Sequence, residues 1–129
     1  MQPNVLVVED DADIRSALAS LLRAEGYAVA CAADGREALD RLYAGERPQV
    51  ILLDLMMPVL SGAEFRVRQL SHPELARIPI VVLTADGRYR EMAKALGAAA
   101  AFAKPFELDA LLNVVAKLGG GGGTAALGA

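Results

Sequence analysis

Cysteine and histidine each occur once in the 129 residues, tryptophan is absent, and aromatic residues make up only 5%. The lone Cys31 excludes an internal disulfide and any cysteine-built metal site. It falls in a short apolar stretch and reads as a small buried residue. His72, next to Pro73 in a polar loop, has no partner in the sequence and reads as a surface residue. No run of Lys or Arg exists and the formal charge is −3, so nucleic acid and anionic membrane are excluded as direct partners. No apolar stretch approaches the ~20 residues that span a bilayer, and the N-terminus lacks a signal-peptide layout. A cytoplasmic protein with no membrane attachment is the expectation. No glycine-rich turn follows the first apolar run, which removes a dinucleotide site from consideration.

What is present is a chain of one domain's length, 54% hydrophobic and 22% charged, with alanine supplying much of the apolar share. Val50-Ile-Leu-Leu-Asp54 is a continuous apolar run ending in a carboxylate, followed by Leu-Met-Met-Pro58. Such a run suits a strand buried on both faces of a parallel sheet, and Pro58 must take the chain out of the ladder. Asn4 to Val8, Tyr27 to Ala32, Ile78 to Leu83 and Ala101 to Ala103 supply four more strands. The stretch from Tyr27 is the most polar and is expected at an edge.

Helical signals alternate with these strands. Ile14, Ala17, Leu18, Leu21 and Leu22 have the spacing of one buried helix face, stopped at Gly26. Asp34 with Glu37, and Ser61 with Glu64, have the spacing of helix starts. The first of these helices turns Ala38, Leu39, Leu42 and Tyr43 inward, and the second runs to about Ser71, where His72-Pro73 breaks it. A short helix from about Arg88 to Leu96 ends at Gly97. The last, from about Glu107 to Leu118, places Leu108, Leu111, Leu112, Val115 and Leu118 on one face. Five strand–helix alternations give an α/β fold: a doubly wound (βα)5, flavodoxin-like three-layer sandwich with parallel sheet order 2-1-3-4-5. Residues 1–118 form this domain. Gly119 to Gly123 and the residues to Ala129 read as a flexible tail or a severed linker, too short for an effector domain.

Four strands end in chemically capable groups: Glu9 and Asp10, Asp54, Thr84, and Lys104. A doubly wound sheet brings all of them to one rim. Carboxylates crowded there raise each other's pKa unless a cation sits among them. Oxygen ligands suit Mg²⁺ (or Mn²⁺), held by Asp10 and Asp54, by Glu9 through a water, and by the carbonyl of Met56. Asp54 is then the nucleophile that takes a phosphoryl group, with Lys104, the Thr84 hydroxyl and nearby backbone N–H groups around its oxygens. Singly, each of these residues suits an ordinary turn or surface role; jointly they mark a phosphoryl-transfer site.

Val5-Leu-Val-Val-Glu-Asp-Asp11, Leu53-Asp-Leu-Met-Met-Pro58 with Gly62, Val82-Leu-Thr-Ala85 and Lys104-Pro-Phe106 resemble, in order, the motifs of response-regulator receiver domains of two-component systems, a chemotaxis-regulator-like fold. The resemblance spans residues 4 to about 118. It implies that Asp54 accepts a phosphoryl group from a phosphohistidine on a sensor histidine kinase or a histidine phosphotransfer protein, with Mg²⁺ required. The domain would catalyse its own phosphorylation and slower dephosphorylation without being a conventional enzyme. The resemblance further implies a cis peptide between Lys104 and Pro105. It also implies a conformational change of the fourth-helix, fifth-strand and fifth-helix face, read by a downstream protein effector, and a monomer or weak phosphorylation-dependent dimer.

Three departures stand out. Ala101 occupies the position where the family carries an aromatic switch residue on its fifth strand, and Phe102 points to the opposite side. The interval from Thr84 to Gly97 is about two residues short of common members. Ala99 and Ala100 replace the acidic pair frequent in DNA-binding members. A non-phosphorylated receiver-like docking module is the alternative reading. A dehalogenase-type phosphatase is disfavoured, because it wants a second aspartate where this chain has Met56.

Overall fold

The computed structural model describes residues 4–57 and 59–118. Pro58 and the glycine-rich stretch from residue 119 lie outside the described residues, as do the expectations that rest on them. In chain order the elements are β1 (Val5–Val8), α1 (Ala12–Ala24), β2 (Val29–Ala32), α2 (Gly35–Tyr43), β3 (Val50–Asp54), α3 (Gly62–Leu70), α4 (Pro73–Ala76), β4 (Ile80–Thr84), α5 (Tyr89–Leu96), β5 (Ala100–Ala103) and α6 (Leu108–Leu118). The strands form one parallel sheet in the order β2-β1-β3-β4-β5, so the expected topology holds. β1, β3 and β4 are fully buried along their lengths, as their unbroken apolar runs require.

Alternation along the strands divides the core in two. Leu6, Val8, Ile51, Leu53, Ile80 and Val82 face α2, α3, α4 and α5, where Leu39, Leu42, Phe65 and Leu75 meet them. Val5, Val7, Leu52, Val81 and Leu83 face α1 and α6, which contribute Leu18, Leu22, Leu111 and Val115. Full burial of each large apolar side chain contributes roughly 1.5–3 kcal/mol, so these two clusters carry most of the hydrophobic drive.

Several expectations need correction. The buried stripe of α1 is Leu18, Ala19 and Leu22; Ile14 and Leu21 are 36% and 41% exposed, and Ala17 is also exposed. α1 lies over β1 and β2, and only the side of its apolar stripe turned toward them is covered. β2 starts at Val29 instead of Tyr27, because the Tyr27 N–H closes the end of α1 by donating to the Leu22 carbonyl at 3.1 Å. β2 is an edge strand as expected, and Cys31 on it is half-buried. Tyr43 is exposed, its ring tilted against His72 at 5.1 Å between centroids. His72-Pro73 ends α3 but also starts α4, since a proline is well suited to the first turn of a helix. β4 begins at Ile80, two residues later than the sequence suggests.

The start of α3 fixes the loop after Asp54. Ser61 and Glu64 form a reciprocal capping box, and the Gly62 N–H donates to the Leu55 carbonyl at 3.3 Å. A Cβ on Gly62 would lie 2.8 Å from Leu55 Cα and 3.1 Å from the Asp54 carbonyl oxygen. Backbone cannot yield as a flexible side chain can, so Gly62→Ala should cost about 1–3 kcal/mol, the range of an overpacked core site. Gly87→Ala, where a Cβ meets nothing within 4 Å, is the control and should change stability by less than about 1 kcal/mol. Urea unfolding of both variants checks this; equal effects would contradict it.

Candidate functional site

β1, β3, β4 and β5 all end on one rim of the sheet, and each delivers one element of the site. Glu9 follows β1 and is 1% exposed; Asp54 ends β3 and is 3% exposed; Thr84 ends β4 and is fully buried. Asp10 projects into solvent. Oxygens of Glu9, Asp10 and Asp54 lie within 4.8 Å of one another. Lys104, just past β5, sends its ammonium between the two buried acids, 2.6 Å from Glu9 Oε1 and 3.4 Å from Asp54 Oδ2. The structure therefore brings Glu9, Asp10, Asp54 and Lys104 together.

Local backbone chemistry sets each group. The Met56 N–H donates to Asp54 Oδ1 at 3.0 Å, so the turn after β3 folds back on its own carboxylate. The Asp11 N–H donates to Glu9 Oε2 at 3.2 Å, while Asp11 caps α1 by accepting from the Asp13 and Ile14 N–H groups. The Asp86 N–H donates to Thr84 Oγ1 at 3.2 Å, and the Lys104 N–H donates to the Thr84 carbonyl at 2.8 Å. The Lys104–Pro105 bond is cis. Asp86 is held by Arg88, whose hydrogen bonds pull its carboxyl down to about 2.

Sequence reasoning missed Arg15. Its guanidinium donates to the backbone carbonyls of Glu9 at 2.7 Å and Asp10 at 3.4 Å, bracing the acidic turn from the first part of α1. Backbone carbonyl partners leave no mark in a side-chain pattern. Phe102 does face away from Ala101: it packs in the α1/α6 cluster beside Phe106, whereas Ala101 lies on the α5 side with Met92, Leu96 and Ala98.

Electrostatically the rim is short of positive charge. Three carboxylates face one ammonium, and the Arg15 guanidinium stands behind them on the Glu9 and Asp10 carbonyls. Burial pushes the Asp54 carboxyl up from 3.8 to about 7, with Glu9 adding to the rise and the Met56 N–H and Lys104 opposing it. Lys104 loses some basicity to burial, but Glu9 and Asp54 outweigh that and hold its ammonium above its ordinary value. The donor set is all hard oxygen, which fits Mg²⁺ or Mn²⁺ and not a thiophilic metal.

Fold and site together define a receiver domain, and the chain belongs to the response regulator receiver domain family, which it matches over residues 5–116. Domains of this family are phosphoacceptor modules of two-component systems, not conventional enzymes. They receive phosphate from histidine kinases or phosphotransfer proteins and bind Mg²⁺ at an acidic pocket. The chain is 36% identical over 119 residues to sporulation initiation phosphotransferase F of Bacillus subtilis, covering 91% of this chain and 94% of that protein. It is 45% identical over 114 residues to the response regulator MprA of Mycolicibacterium vanbaalenii, covering 87% of this chain but 48% of that protein, so it spans about half of MprA's length. Among solved structures it is similar to the response regulator TrrA of Thermotoga maritima, solved in complex with Mg²⁺-BeF. The TM-score is 0.79 with 33% identity, covering 92% of this chain and 99% of that one. No helix among the described residues is long and apolar enough to cross a membrane.

The raised Asp54 carboxyl has a stability consequence in the absence of divalent ions. Its folded value, about 7, lies above its ordinary 3.8, so the associated stability is complete below about pH 4 and is lost as pH rises through 7. Asp54→Asn removes that slope. In chelator, the variant should melt a few degrees above wild type at pH 8, and the difference should vanish near pH 4. Equal melting temperatures at pH 8 would contradict the burial-driven shift.

Proposed function

We propose that Asp54 accepts a phosphoryl group from a phosphohistidine on a sensor histidine kinase or a histidine phosphotransfer protein, in a reaction that needs Mg²⁺ or Mn²⁺. The observation that carries this reading is the Lys104 ammonium set between Glu9 and Asp54, with Asp10 within reach of both acids. Asp10 and Asp54 would hold the ion directly, Glu9 through a water, and the Met56 carbonyl would complete the protein's share. Bound there, the ion supplies positive charge to the oxygens of the transferred group.

The chain's own residues do the rest. A carboxylate oxygen of Asp54 forms the new P–O bond as the P–N bond to the donor imidazole breaks, and the imidazole leaves with the electron pair. Lys104, 3.4 Å from Asp54 Oδ2, stabilises negative charge on the phosphoryl oxygens. The buried Thr84 hydroxyl accepts the Asp86 N–H and still has its own proton to donate; swinging Oγ1 toward a phosphoryl oxygen to donate it moves that oxygen away from the Asp86 N–H. Near-complete burial of Asp54 makes such contacts worth more than they are in bulk water.

The donor's approach is served by the exposed apolar side chains of α1. Ile14 borders a cavity of about 420 Å³ with Lys104, Pro105 and Phe106, next to the phosphoacceptor, and Ala17 and Leu21 continue that face along α1. We place the receiver unit at residues 1–118, in the cytoplasm, as a monomer or weak phosphorylation-dependent dimer. Its α5/β5/α6 face is offered to a downstream protein effector.

Intact-protein mass after incubation with acetyl phosphate tests the reading. Wild type with Mg²⁺ should gain one phosphoryl mass; wild type in chelator and Asp54→Asn should gain none. Lys104→Met should slow the gain about 10²-fold, the usual cost of losing one charge-stabilising donor. No gain for wild type with either acetyl phosphate or a phosphohistidine donor would favour the docking-only alternative. Asp86 and Met56 flank the path of an attacking water, so Asp86 substitutions should alter the phosphoryl lifetime without preventing its formation. An unchanged lifetime across several Asp86 substitutions would contradict that placement.

A further inference from the structure

Helix α3 buries two polar side chains beside Phe65. Its buried face carries Arg66, 7% exposed, and Gln69, fully buried, whereas Val67 and Leu70 are 66% and 49% exposed. The two polar side chains form a relay between elements. Arg66 donates through Nε to the Leu96 carbonyl at 2.8 Å and through one terminal nitrogen to the Gly97 carbonyl at 3.2 Å. Its other terminal nitrogen donates to Gln69 Oε1 at 2.8 Å, and Gln69 Nε2 donates to the carbonyls of Leu75 and Ile78 at 2.8 and 2.9 Å.

The consequence falls on α5. Gly97, with φ 68°, lets the chain close the helix by backbone bonds from Gly97 to Lys94 and from Ala98 to Ala93. Arg66 then takes the Leu96 and Gly97 carbonyls, which this closure leaves open, and its cation faces the negative end of the helix dipole. The other end of α5 is weakly held. Its N-cap, Arg88, makes no side-chain capping bond, Ala93 is the helix's only buried residue, and Asp86 is bonded chiefly to Arg88 in its own loop. The Asp86 N–H to Thr84 Oγ1 bond ties the helix entry to the sheet.

We infer that Arg66 and Gln69 form a fulcrum under the C-terminal end of α5, so that a change at Thr84 pivots the helix about Leu96–Gly97 instead of sliding it along β5. The inference rests on the receiver reading, because it assigns to Thr84 the loss of its bond to Asp86. Ala101 is consistent with it: the β5 position facing α5 is a methyl group, with no large side chain to reposition. Arg66 is a positioning residue, since it touches no reacting atom.

Hydrogen exchange by mass spectrometry, with and without Mg²⁺ and beryllium fluoride, tests the fulcrum, and bound fluoride is followed separately by ¹⁹F NMR. In wild type, beryllium fluoride should change exchange across residues 85–92 by about tenfold and leave Gly97 and Ala98 within about twofold, as expected of a locally confined opening. Arg66→Met keeps the aliphatic stem and loses the donors; it should spread the change to Gly97 and Ala98. Arg66→Lys retains a cation over the two carbonyls and should restore the confinement, which a generally destabilised helix would not do. With fluoride bound, equal changes along the whole helix in wild type, or no spread in Arg66→Met, would overturn the fulcrum alone. Absence of bound fluoride would overturn the receiver reading and the pivot together.

Discussion

Two buried carboxylates sharing one ammonium is the constraint from which the rest of this structure follows. Glu9 and Asp54 are almost inaccessible, Asp10 stands at their edge, and Lys104 is the positive group that bridges the buried pair. Burying charge is costly, and here it is offset by Lys104 and by the Met56 and Asp11 N–H groups, on strand ends set by the buried β1, β3 and β4. The same imbalance gives the rim its chemistry. It favours a divalent cation among the three acids, and on the function proposed above it leaves Asp54 as the nucleophile, with Lys104 and the ion supplying the positive charge that phosphoryl oxygens need.

The fold was legible because its strongest signals are long and unambiguous. Apolar runs at Val5–Val8, Val50–Leu53 and Ile80–Leu83, each bounded by turn residues and alternating with helical patterns, suit the centre of a parallel sheet, and their terminal residues then share a rim. The capping box at Ser61–Glu64 was equally readable, since it is a contact between residues three apart. What escaped was set by partners distant in sequence. Tyr27 left its strand to cap α1, Tyr43 turned outward to His72, and Ile14 and Leu21 stayed in solvent although their spacing is that of a core face.

The positions of Glu9, Asp10, Asp54, Thr84 and Lys104 on one rim were anticipated, but two features of the surroundings were not. Arg15 reaches main-chain carbonyls, which no motif records. Arg66 and Gln69 look like solvent-facing residues by composition, yet they are buried because the open carbonyls at the end of α5 and those of Leu75 in α4 and Ile78 before β4 need donors at that depth. Their presence links α3, which begins against Asp54, to the far end of α5, which begins beyond Thr84. The scaffold around the site is thus tied in two directions: backbone packing at Gly62, and side-chain donors at the opposite end of the same helix.

The central claim is that Asp54 itself carries the phosphoryl group, and the most direct test is chemical location of the linkage. An acyl phosphate is reduced by borohydride to an alcohol, so an aspartyl phosphate becomes homoserine and can be found by peptide sequencing. Homoserine at position 54, formed only after incubation with Mg²⁺ and phosphoryl donor, is the predicted result. Homoserine at position 10, or a phosphoryl group that resists borohydride and sits elsewhere, would contradict the account.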